Sequence, residues 1–427
     1  MHKKSLAAGV AAIIVAASSI FFLSCSKQKE NRILICTSSS EFAPYVELFN
    51  ENHKNKAVIV YQENPALALG KSNNSQNVDL VVGNWLRNEK TRKNFKNLDF
   101  LFDRNYIQHN SFYPELLKSG SITTQQYLLP VSFNLPAIIF SVDNKKYVPN
   151  EYTISLEDLK KIGSEFNKKD KKNHYTSIGF APQSNKNFMY TVTKVKGAAF
   201  QENKKSQFTW NNSNLDAAIS YLVNWITEAN SNPQTESDFV YKYLSETDDK
   251  RVTGGRTLFA YTTSDKLFRL TSEQLSKIEF CWLENEGLIP IEDEMLMMGI
   301  PKKCNNLNGA TEFISWFYKA ETQKEILERK IETKLEINKF GIAGGFSAIK
   351  DVNERILPIY YTRLLSNIPQ QGSLKVLEKK PARWEQIKTK VVLPYIEEKV
   401  FSAPDKKIAT MQERLDIFNK QRFNAEQ

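Results

Sequence analysis

The stretch RILICTSSSEFAPYVELFN, residues 32–50, decides the fold class of this chain. It opens with a short apolar run that predicts a buried strand, and the polar residues 37–40 end that strand. Five large apolar residues then recur at the spacing of one helical face: Phe42, Tyr45, Val46, Leu48 and Phe49. A strand followed directly by an amphipathic helix predicts the first unit of an α/β domain.

Two more apolar runs continue the pattern. Val58–Tyr61 predicts a second strand, and Val78–Val82 predicts a third that ends at Gly83. Because buried strands alternate with helices, the sequence predicts a mainly parallel sheet. Ligands of such sheets bind beyond the carboxyl ends of the strands, which makes the residues after each strand the first candidates for ligand contact.

Composition and charge limit the class of protein. The chain has 427 residues, of which 41% are hydrophobic and 25% charged, so it is globular and long enough for two or three domains. This profile excludes a multi-pass membrane protein and a small disulfide-rich domain. The formal net charge is +10, but basic and acidic residues are interleaved and no nucleic-acid recognition motif is present. We therefore predict no binding to nucleic acid.

Residues 1–24 predict an export leader, with Lys3 and Lys4 before an apolar run. The segment FFLSC, ending at Cys25, resembles the lipobox of bacterial lipoproteins, although Phe22 stands where leucine is usual. The resemblance implies that Cys25 is acylated, for example with palmitate, and that residues 25–31 tether the protein to a membrane of the cell envelope, facing the periplasm or the cell exterior. An ordinary signal peptide or an uncleaved anchor helix is the alternative.

Three cysteines remain after Cys25, an odd number for an oxidising compartment. We predict that Cys36 and Cys281 are buried strand residues. A disulfide between Cys281 and Cys304 stays open, because connectivity cannot be read from sequence.

Catalytic and metal-binding patterns were not found. The four histidines lack metal-ligand spacing, and there is no Gly-x-Ser-x-Gly motif. The acidic runs Asp248-Asp249 and Glu292-Asp293-Glu294 are expected in solvated loops. We predict no metal, no cofactor and no catalysis, although the carboxylate pair of a glycosidase is spatial and escapes a sequence search.

Five segments carry a family resemblance. They are EFAPYVELFNENHKNKAVIVYQ (41–62), NVDLVVGNW (77–85), YPELLKSGSITTQQYLLPVSFNLPAIIFSVD (113–143), TGGRTLFAYTTSDKLFRL (253–270) and MMGIPKKCNNLNGATEFISWFYKAETQKEIL (297–327). In this order they resemble the family 1 extracellular solute-binding proteins, the receptors of ABC importers. The resemblance covers about residues 32–370.

The resemblance implies an α/β fold of two lobes, the type II fold of periplasmic binding proteins, with three interlobe crossings. Residues 32–137 and 260–313 would form lobe 1, and residues 138–259 and 314–402 a helix-rich lobe 2. Residues 403–427 would add a C-terminal helix. The hinges are expected at Phe133–Pro136, at Phe259–Thr262 and near Trp316.

The resemblance also implies the site and the function. Aromatic faces stack on sugar rings, and amide or hydroxyl groups bond to sugar hydroxyls. The expected ligand-binding residues are Ser39, Ser40, Glu41, Asn84, Trp85, Phe133, Asn134, Gln183, Asn187, Phe188, Tyr261, Thr262, Thr263, Gly344, Gly345 and Phe346. For the aromatic residues, core packing is the alternative.

We therefore expect a monomeric, lipid-anchored receptor that captures a sugar, oligosaccharide or polyol and delivers it to the transmembrane subunits of an ABC permease. Two other functions stay open. One is a surface lipoprotein with the same fold that acts as an adhesin or signalling partner, and the other is a secreted enzyme acting on glycans.

Overall fold

The structure is a computed structural model, and it describes residues 32–70, 77–333, 339–402 and 406–425. The leader 1–24, the predicted lipidation site Cys25 and its tether lie outside the described residues. So do residues 403–405 and 426–427 of the C-terminal segment.

The described strands follow the chain in this order: β1 (Arg32–Thr37), β2 (Lys56–Tyr61), β3 (Leu80–Gly83), β4 (Ser121–Ile122), β5 (Gln125–Gln126), β6 (Leu129–Phe133), β7 (Pro136–Ser141), β8 (Thr153–Ser155), β9 (Lys168–Lys169), β10 (Tyr175–Ser177), β11 (Gln201–Glu202), β12 (Phe208–Thr209), β13 (Phe259–Thr263), β14 (Ile278–Glu284), β15 (Ile289–Pro290), β16 (Leu296–Gly299), β17 (Phe346–Ser347) and β18 (Leu374–Lys375).

The described α-helices are α1 (Phe42–Asn52), α2 (Pro65–Gly70), α3 (Asp99–Asp103), α4 (Pro114–Ser119), α5 (Leu156–Phe166), α6 (Lys186–Val195), α7 (Asn212–Ala229), α8 (Pro233–Lys242), α9 (Asp248–Thr253), α10 (Ser264–Leu267), α11 (Ser272–Ser276), α12 (Leu307–Phe317), α13 (Ala320–Thr333), α14 (Leu357–Tyr360), α15 (Trp384–Ile387), α16 (Leu393–Phe401) and α17 (Met411–Ala425). Short π-helical turns, Val352–Ile356 and Lys388–Val392, precede α14 and α16. Among the described residues, no helix is both long and apolar enough to span a bilayer.

The first lobe is built on a sheet whose described strands run in the order β17-β6-β16-β3-β1-β2. β1 pairs in parallel with both β2 and β3, as the alternation of strands and helices predicted. β16 and β17 pair antiparallel to their neighbours, so the whole sheet is mixed. The three predicted strands and the first predicted helix are confirmed.

The second lobe is built on a sheet with the described order β13-β7-β14-β8. Side chains of a strand alternate between the two faces of its sheet. On β7, Ile138 and Phe140 face an apolar cluster formed with α5, α6, α7 and α16, whereas Ala137 and Ile139 join the cluster of the first lobe. The second sheet therefore links the two cores.

Helix caps follow the sequence closely. Asn211 caps α7 by accepting a hydrogen bond from the backbone N–H of Asn214 at 3.0 Å, and Ser155 caps α5 in the same way. Asp79 accepts from the backbone N–H groups of Leu34, Asn305 and Asn306, which fixes the start of α12 against β1. The bonds to Asn211 and Ser155 satisfy donors that a helix start leaves unpaired.

Within the described segments, the chain passes between the two sheets three times, as expected, but two passages differ from the predicted positions. The first lies at Asn134–Leu135, between β6 and β7, where it was predicted. The second was predicted at Phe259–Thr262, but β13 pairs with β7 along its whole length and stays inside the second sheet. The chain instead passes to the first sheet at residues 291–295, between β15 and β16.

The third passage follows β17, because β17 still pairs with β6 in the first sheet. Trp316 lies on α12 and packs against Phe49 and Phe313 in the first lobe, with ring centroids 5.2 and 5.4 Å apart. Residues 314–333 and 339–347 therefore belong to the first lobe, in contrast to the predicted division. A strand that crosses and a strand that stays in its sheet have the same apolar pattern, which explains both differences.

The three described cysteines are free, so Cys281 and Cys304 do not pair. Cys281 lies in the second lobe, where it is buried and contacts the carbonyl of Asn150 at 3.2 Å. Cys304 lies in the first lobe and contacts Asp79 of the same lobe at 3.5 Å. Burial raises the pKa of the Cys36 thiol to about 11 and those of Cys281 and Cys304 to about 12. These thiols are therefore protonated and unreactive near neutral pH.

Candidate functional site

A cleft of about 890 Å³ lies where the carboxyl ends of β1, β2 and β3 face the second lobe. Its first-lobe wall comes from the residues that follow these strands and from α2. Its opposite wall comes from the second crossing and from the start of α15. The lining residues are Ser38, Gln62, Glu63, Asn64, Pro65, Leu67, Ala68, Asn84, Trp85, Glu294, Arg383, Glu385 and Gln386. This is the position that an open α/β sheet offers to a ligand.

Trp85 lies at the centre of this arrangement and has an unusual backbone. Its φ is +63°, in the left-handed region that a bulky side chain seldom adopts. The side chain is half-buried and packs against the apolar clusters of both lobes. Asn88 donates to the Trp85 carbonyl at 2.7 Å and holds the turn. Strain of this kind, about 1–3 kcal/mol, is found mainly at functional sites.

Asn84 precedes Trp85 and also lines the cleft. Its Oδ1 atom is buried and has no hydrogen-bond partner among the described residues. A buried carbonyl without a donor costs about 1–3 kcal/mol. This oxygen is therefore suited to accept a hydrogen bond from a ligand hydroxyl.

The cleft carries charged groups as well as amides. Glu63, Glu294 and Glu385 contribute carboxylates, and Arg383 contributes a guanidinium group. Burial raises the pKa of Glu385, and the nearby charge of Glu294 raises it further. The sequence predicted an almost neutral cleft apart from Glu41, so these carboxylates are an addition. Ionised carboxylates accept hydrogen bonds from hydroxyl groups.

A buried cluster of charges lies beside the cleft, at the second crossing. The Asp293 side chain is fully buried, 3.7 Å from the ammonium of Lys194 and 3.8 Å from that of Lys380. Its Oδ2 atom accepts from the Tyr190 hydroxyl at 2.5 Å and from the Trp384 indole at 2.8 Å. The prediction that the run 292–294 is a solvated loop is therefore wrong.

The cluster sets the charge state of its carboxyl groups. Burial would raise the pKa of Asp293, but the lysine charges outweigh it and the pKa is lowered. Burial raises the pKa of Glu292, with the charge of Lys194 opposing it. Tyr261 donates to Glu292 at 3.3 Å. The second acidic run differs from its prediction too, because Asp249 is buried and accepts from Gln274 at 2.8 Å.

Of the predicted ligand-binding residues, Asn84 and Trp85 line the cleft. Ser40 and Glu41 line a separate cavity of about 320 Å³ between α1 and α13, and Ser39 directly precedes them. Glu41 is buried and pairs with Lys330 at 3.3 Å and with Lys339 at 3.1 Å. From the polar segment 37–40 that follows β1, Ser38 lines the cleft.

The other predicted aromatic residues lie in the cores. Phe133 and Phe346 pack together in the first lobe with centroids 5.5 Å apart. Phe188 packs against Trp225 in the second lobe, and Tyr261 is buried with its hydroxyl 2.9 Å from that of Thr191. Periodicity identifies apolar residues but does not distinguish a core from a cleft wall.

The remaining predicted residues serve the crossings and the second lobe. Asn134 donates to the Gly344 carbonyl and accepts from Ser264, and a Cβ at Gly345 would lie 2.5 Å from the Phe133 carbonyl oxygen. Gln183 donates to the Pro233 carbonyl, and Thr263 donates to Asp265. Asn187 and Thr262 are half-buried. None of these lines the described cleft.

Several cleft residues were missed. Gln62, Glu63 and Asn64 follow β2, so the rule applied to β1 and β3 would have found them. No local sequence pattern identifies Glu294, Arg383, Glu385 and Gln386, because long-range packing alone brings them to the cleft. Among the described residues, no group of three or more metal-ligating side chains is present.

Two lobes with a cleft at the strand ends define the class of solute-binding proteins. The chain belongs to the family described as bacterial extracellular solute-binding protein, which matches residues 45–331. No curated protein matches the sequence.

Solved structures share the fold at low sequence identity. The sugar-binding protein MalE of Xanthomonas citri is 12% identical with a TM-score of 0.63, over 93% of this chain and 99% of that one. An ABC substrate-binding protein of Listeria monocytogenes in complex with cycloalternan is 15% identical with a TM-score of 0.57, over 92% and 98%. The cyclic α-maltosyl-1,6-maltose binding protein of Arthrobacter globiformis is 13% identical with a TM-score of 0.57, over 90% and 96%.

Proposed function

We propose that this protein binds a carbohydrate in the cleft between its lobes and delivers it to an ABC permease. The observation that carries the proposal is Trp85, held in a left-handed conformation at the strand ends where the two lobes meet. An indole face stacks on the apolar face of a sugar ring. Side-chain amides and carboxylates around it suit the ring hydroxyls.

The polar groups of the cleft match a polyhydroxylated ligand better than an apolar one. Asn84 offers an acceptor, and Gln62, Asn64 and Gln386 offer both donors and acceptors. The proteins of the same fold from Xanthomonas citri and Arthrobacter globiformis are named for binding sugars, and the Listeria protein was solved with cycloalternan. These names support the choice of ligand class.

Closure of the lobes is the proposed mechanism of capture. Trp85 and Asn84 belong to the first lobe, whereas Glu385 and Gln386 belong to the second. A ligand that contacts both walls gains its full set of contacts when the lobes are closed, so binding shifts the population toward the closed form. The permease would recognise this form.

Membrane attachment through Cys25 is part of the proposal and rests on the sequence. Two or three acyl chains hold a protein stably on a membrane. The Cys25→Ser variant should appear in the soluble fraction of cells, while the parent chain sediments with membranes. Retention of the variant with membranes would contradict the lipid anchor.

Titration calorimetry tests the binding proposal. The chain from residue 26 onward, which contains every described element, should bind at least one member of a panel of glucose and mannose oligomers, monosaccharides and polyols. Trp85→Ala should reduce that affinity at least tenfold, which corresponds to about 1.4 kcal/mol. Tyr241→Ala, which removes an exposed ring on α8, should leave the affinity unchanged. Absence of binding to the whole panel would contradict the proposal.

A glycan-acting enzyme is the alternative that the three cleft carboxylates favour. Binding without chemistry predicts that a bound oligomer is recovered intact after long incubation. Cleavage that disappears in both Glu294→Gln and Glu385→Gln would favour the enzyme.

A further inference from the structure

A second groove of about 770 Å³ adjoins the cleft, and we call it the side groove. Leu67 and Arg383 line both cavities, so the two spaces are neighbours at these residues. The first lobe contributes the start of α2 and the segment 88–91, and the second lobe contributes residues 206–209 and α17. The side groove therefore lies between the lobes, as the cleft does.

The helix α17 is fixed to the second lobe along one face. Met411, Leu415 and Phe418 are buried in the apolar cluster of that lobe. Gln412 and Asn419 flank this buried face and line the side groove. Since the helix packs on the second lobe, it moves with that lobe when the cleft opens or closes.

The side groove has the chemistry of a carbohydrate subsite. Phe208 presents a half-buried ring, backed by Trp384 at 5.6 Å and Trp210 at 5.3 Å between centroids. A ring that is supported on two sides is a rigid stacking surface. Gln412 and Asn419 line the same groove, and their amides can bond to hydroxyl groups.

We infer that α17 walls a second ligand compartment, so that the protein binds a linear oligosaccharide extending from the cleft into the side groove. This inference rests on the proposed function and adds the length of the ligand and a helix that selects it. Ring units in the cleft would contact Trp85, and units in the side groove would contact Phe208 and α17. Affinity should therefore rise with ligand length.

Titration calorimetry tests the inference with two series of linear oligomers, α-1,4-linked glucose and β-1,4-linked mannose. The affinity is measured for each length, beginning with the disaccharide. Asn419→Trp places a large ring in the side groove, and we expect at least a tenfold loss of affinity for the longer oligomers with no change for the shortest that binds. Gln421→Trp places the same ring on another, exposed face of α17, and it should change the affinity neither for the longer oligomers nor for the shortest one. The double variant Gln412→Ala, Asn419→Ala should weaken the longer oligomers alone.

The outcomes separate the inference from the proposed function. If the parent chain binds oligomers and Asn419→Trp affects short and long ligands equally, or affects neither, the inference fails and the proposed function stands. If the parent chain binds a monosaccharide or a polyol but neither series of linear oligomers, the inference fails and the proposed function stands. If it binds no member of the whole panel, both fail. Matching thermal unfolding curves for the Asn419→Trp and Gln421→Trp variants will show that a selective loss is not a folding defect.

Discussion

Trp85 combines a strained backbone with a side chain at the cleft, and the strain can be measured apart from binding. At φ +63° an alanine keeps the penalty of a left-handed conformation, about 1–2 kcal/mol, whereas glycine avoids it and loses about 0.5–1 kcal/mol of conformational entropy. We expect Trp85→Gly to be more stable than Trp85→Ala by about 0.5–1 kcal/mol in urea unfolding.

The matched pair is Tyr241→Gly and Tyr241→Ala on the helix α8, where alanine should be the more stable by about 1 kcal/mol. The two positions should thus give opposite signs. A preference for alanine at both positions would show that the turn at Trp85 relaxes.

Glu236 is a buried carboxyl group in the second lobe whose titration should be visible in stability. Its oxygens accept from the Gln183 backbone N–H and from the Asn230 amide, both at 2.7 Å. Burial raises its pKa to about 7, in spite of these bonds. Between the pKa of the unfolded state, about 4.3, and pH 7, Glu236 holds a proton in the folded state that it has released in the unfolded state.

The free energy of unfolding should therefore be highest below the unfolded pKa and fall as the pH rises, by up to about 4 kcal/mol from this group. Urea unfolding from pH 4.5 to 7.5 measures the slope. Glu236→Gln removes the titration and should flatten the curve. Glu273→Gln, at an exposed carboxylate, should keep the slope of the parent chain. An unchanged slope in Glu236→Gln would contradict the assignment.

At the scale of elements, the buried charge cluster holds the second crossing to the second lobe. Asp293 faces Lys194 on α6 and Lys380 before α15, so loss of its charge leaves buried ammonium groups without full compensation. Removing one partner of a buried ion pair costs about 3–5 kcal/mol. We expect Asp293→Asn to lower the free energy of unfolding by about this amount.

The control is Asp248→Asn, which breaks the pair between Asp248 and Arg251 on α9. Asp248 is partly exposed, so the cost should stay below about 1 kcal/mol. Equal losses in the two variants would mean that solvent reaches the cluster.

The elements that were predicted correctly are those whose signal is local. The periods of β1, α1, β2 and β3 are each visible within a few residues of sequence. Asn84 and Trp85 were predicted because they directly follow a parallel strand, and they line the cleft; their contact with a ligand stays a prediction.

The elements that escaped prediction depend on distant partners. Phe133 and Phe346 are core residues because β17 returns to pair with β6 more than two hundred residues later in the chain. Arg383 and Glu385 reach the cleft because the third crossing brings α15 back across it. The Asp293 side chain is buried because lysines from two distant segments, Lys194 and Lys380, meet it. No local sequence pattern predicts these long-range contacts.

At the scale of the whole molecule, ties beside the cleft join the two lobes. Lys379 pairs with Glu89 of the first lobe, and its carbonyl accepts from the Glu202 backbone N–H of the second at 2.8 Å. The Glu202 carboxylate in turn accepts from the Glu89 backbone N–H at 2.6 Å. Arg87 donates to the Leu377 carbonyl at 3.0 Å, and burial lowers its pKa to about 10.

These ties favour the conformation in which the cleft walls face each other, so weakening them should reduce affinity without touching the ligand. Lys379 lines neither the described cleft nor the side groove. We expect Lys379→Met to shift the population toward the open form and to weaken ligand binding about fivefold to tenfold, a coupling of about 1–1.4 kcal/mol. Small-angle scattering should show a larger radius of gyration for the ligand-free variant and the parent value at saturating ligand. Lys277→Met, which breaks an exposed pair within one lobe, should change neither quantity. An unchanged affinity in Lys379→Met would show that the ties persist equally in the open form, and the cleft would then close by contacts with the ligand alone.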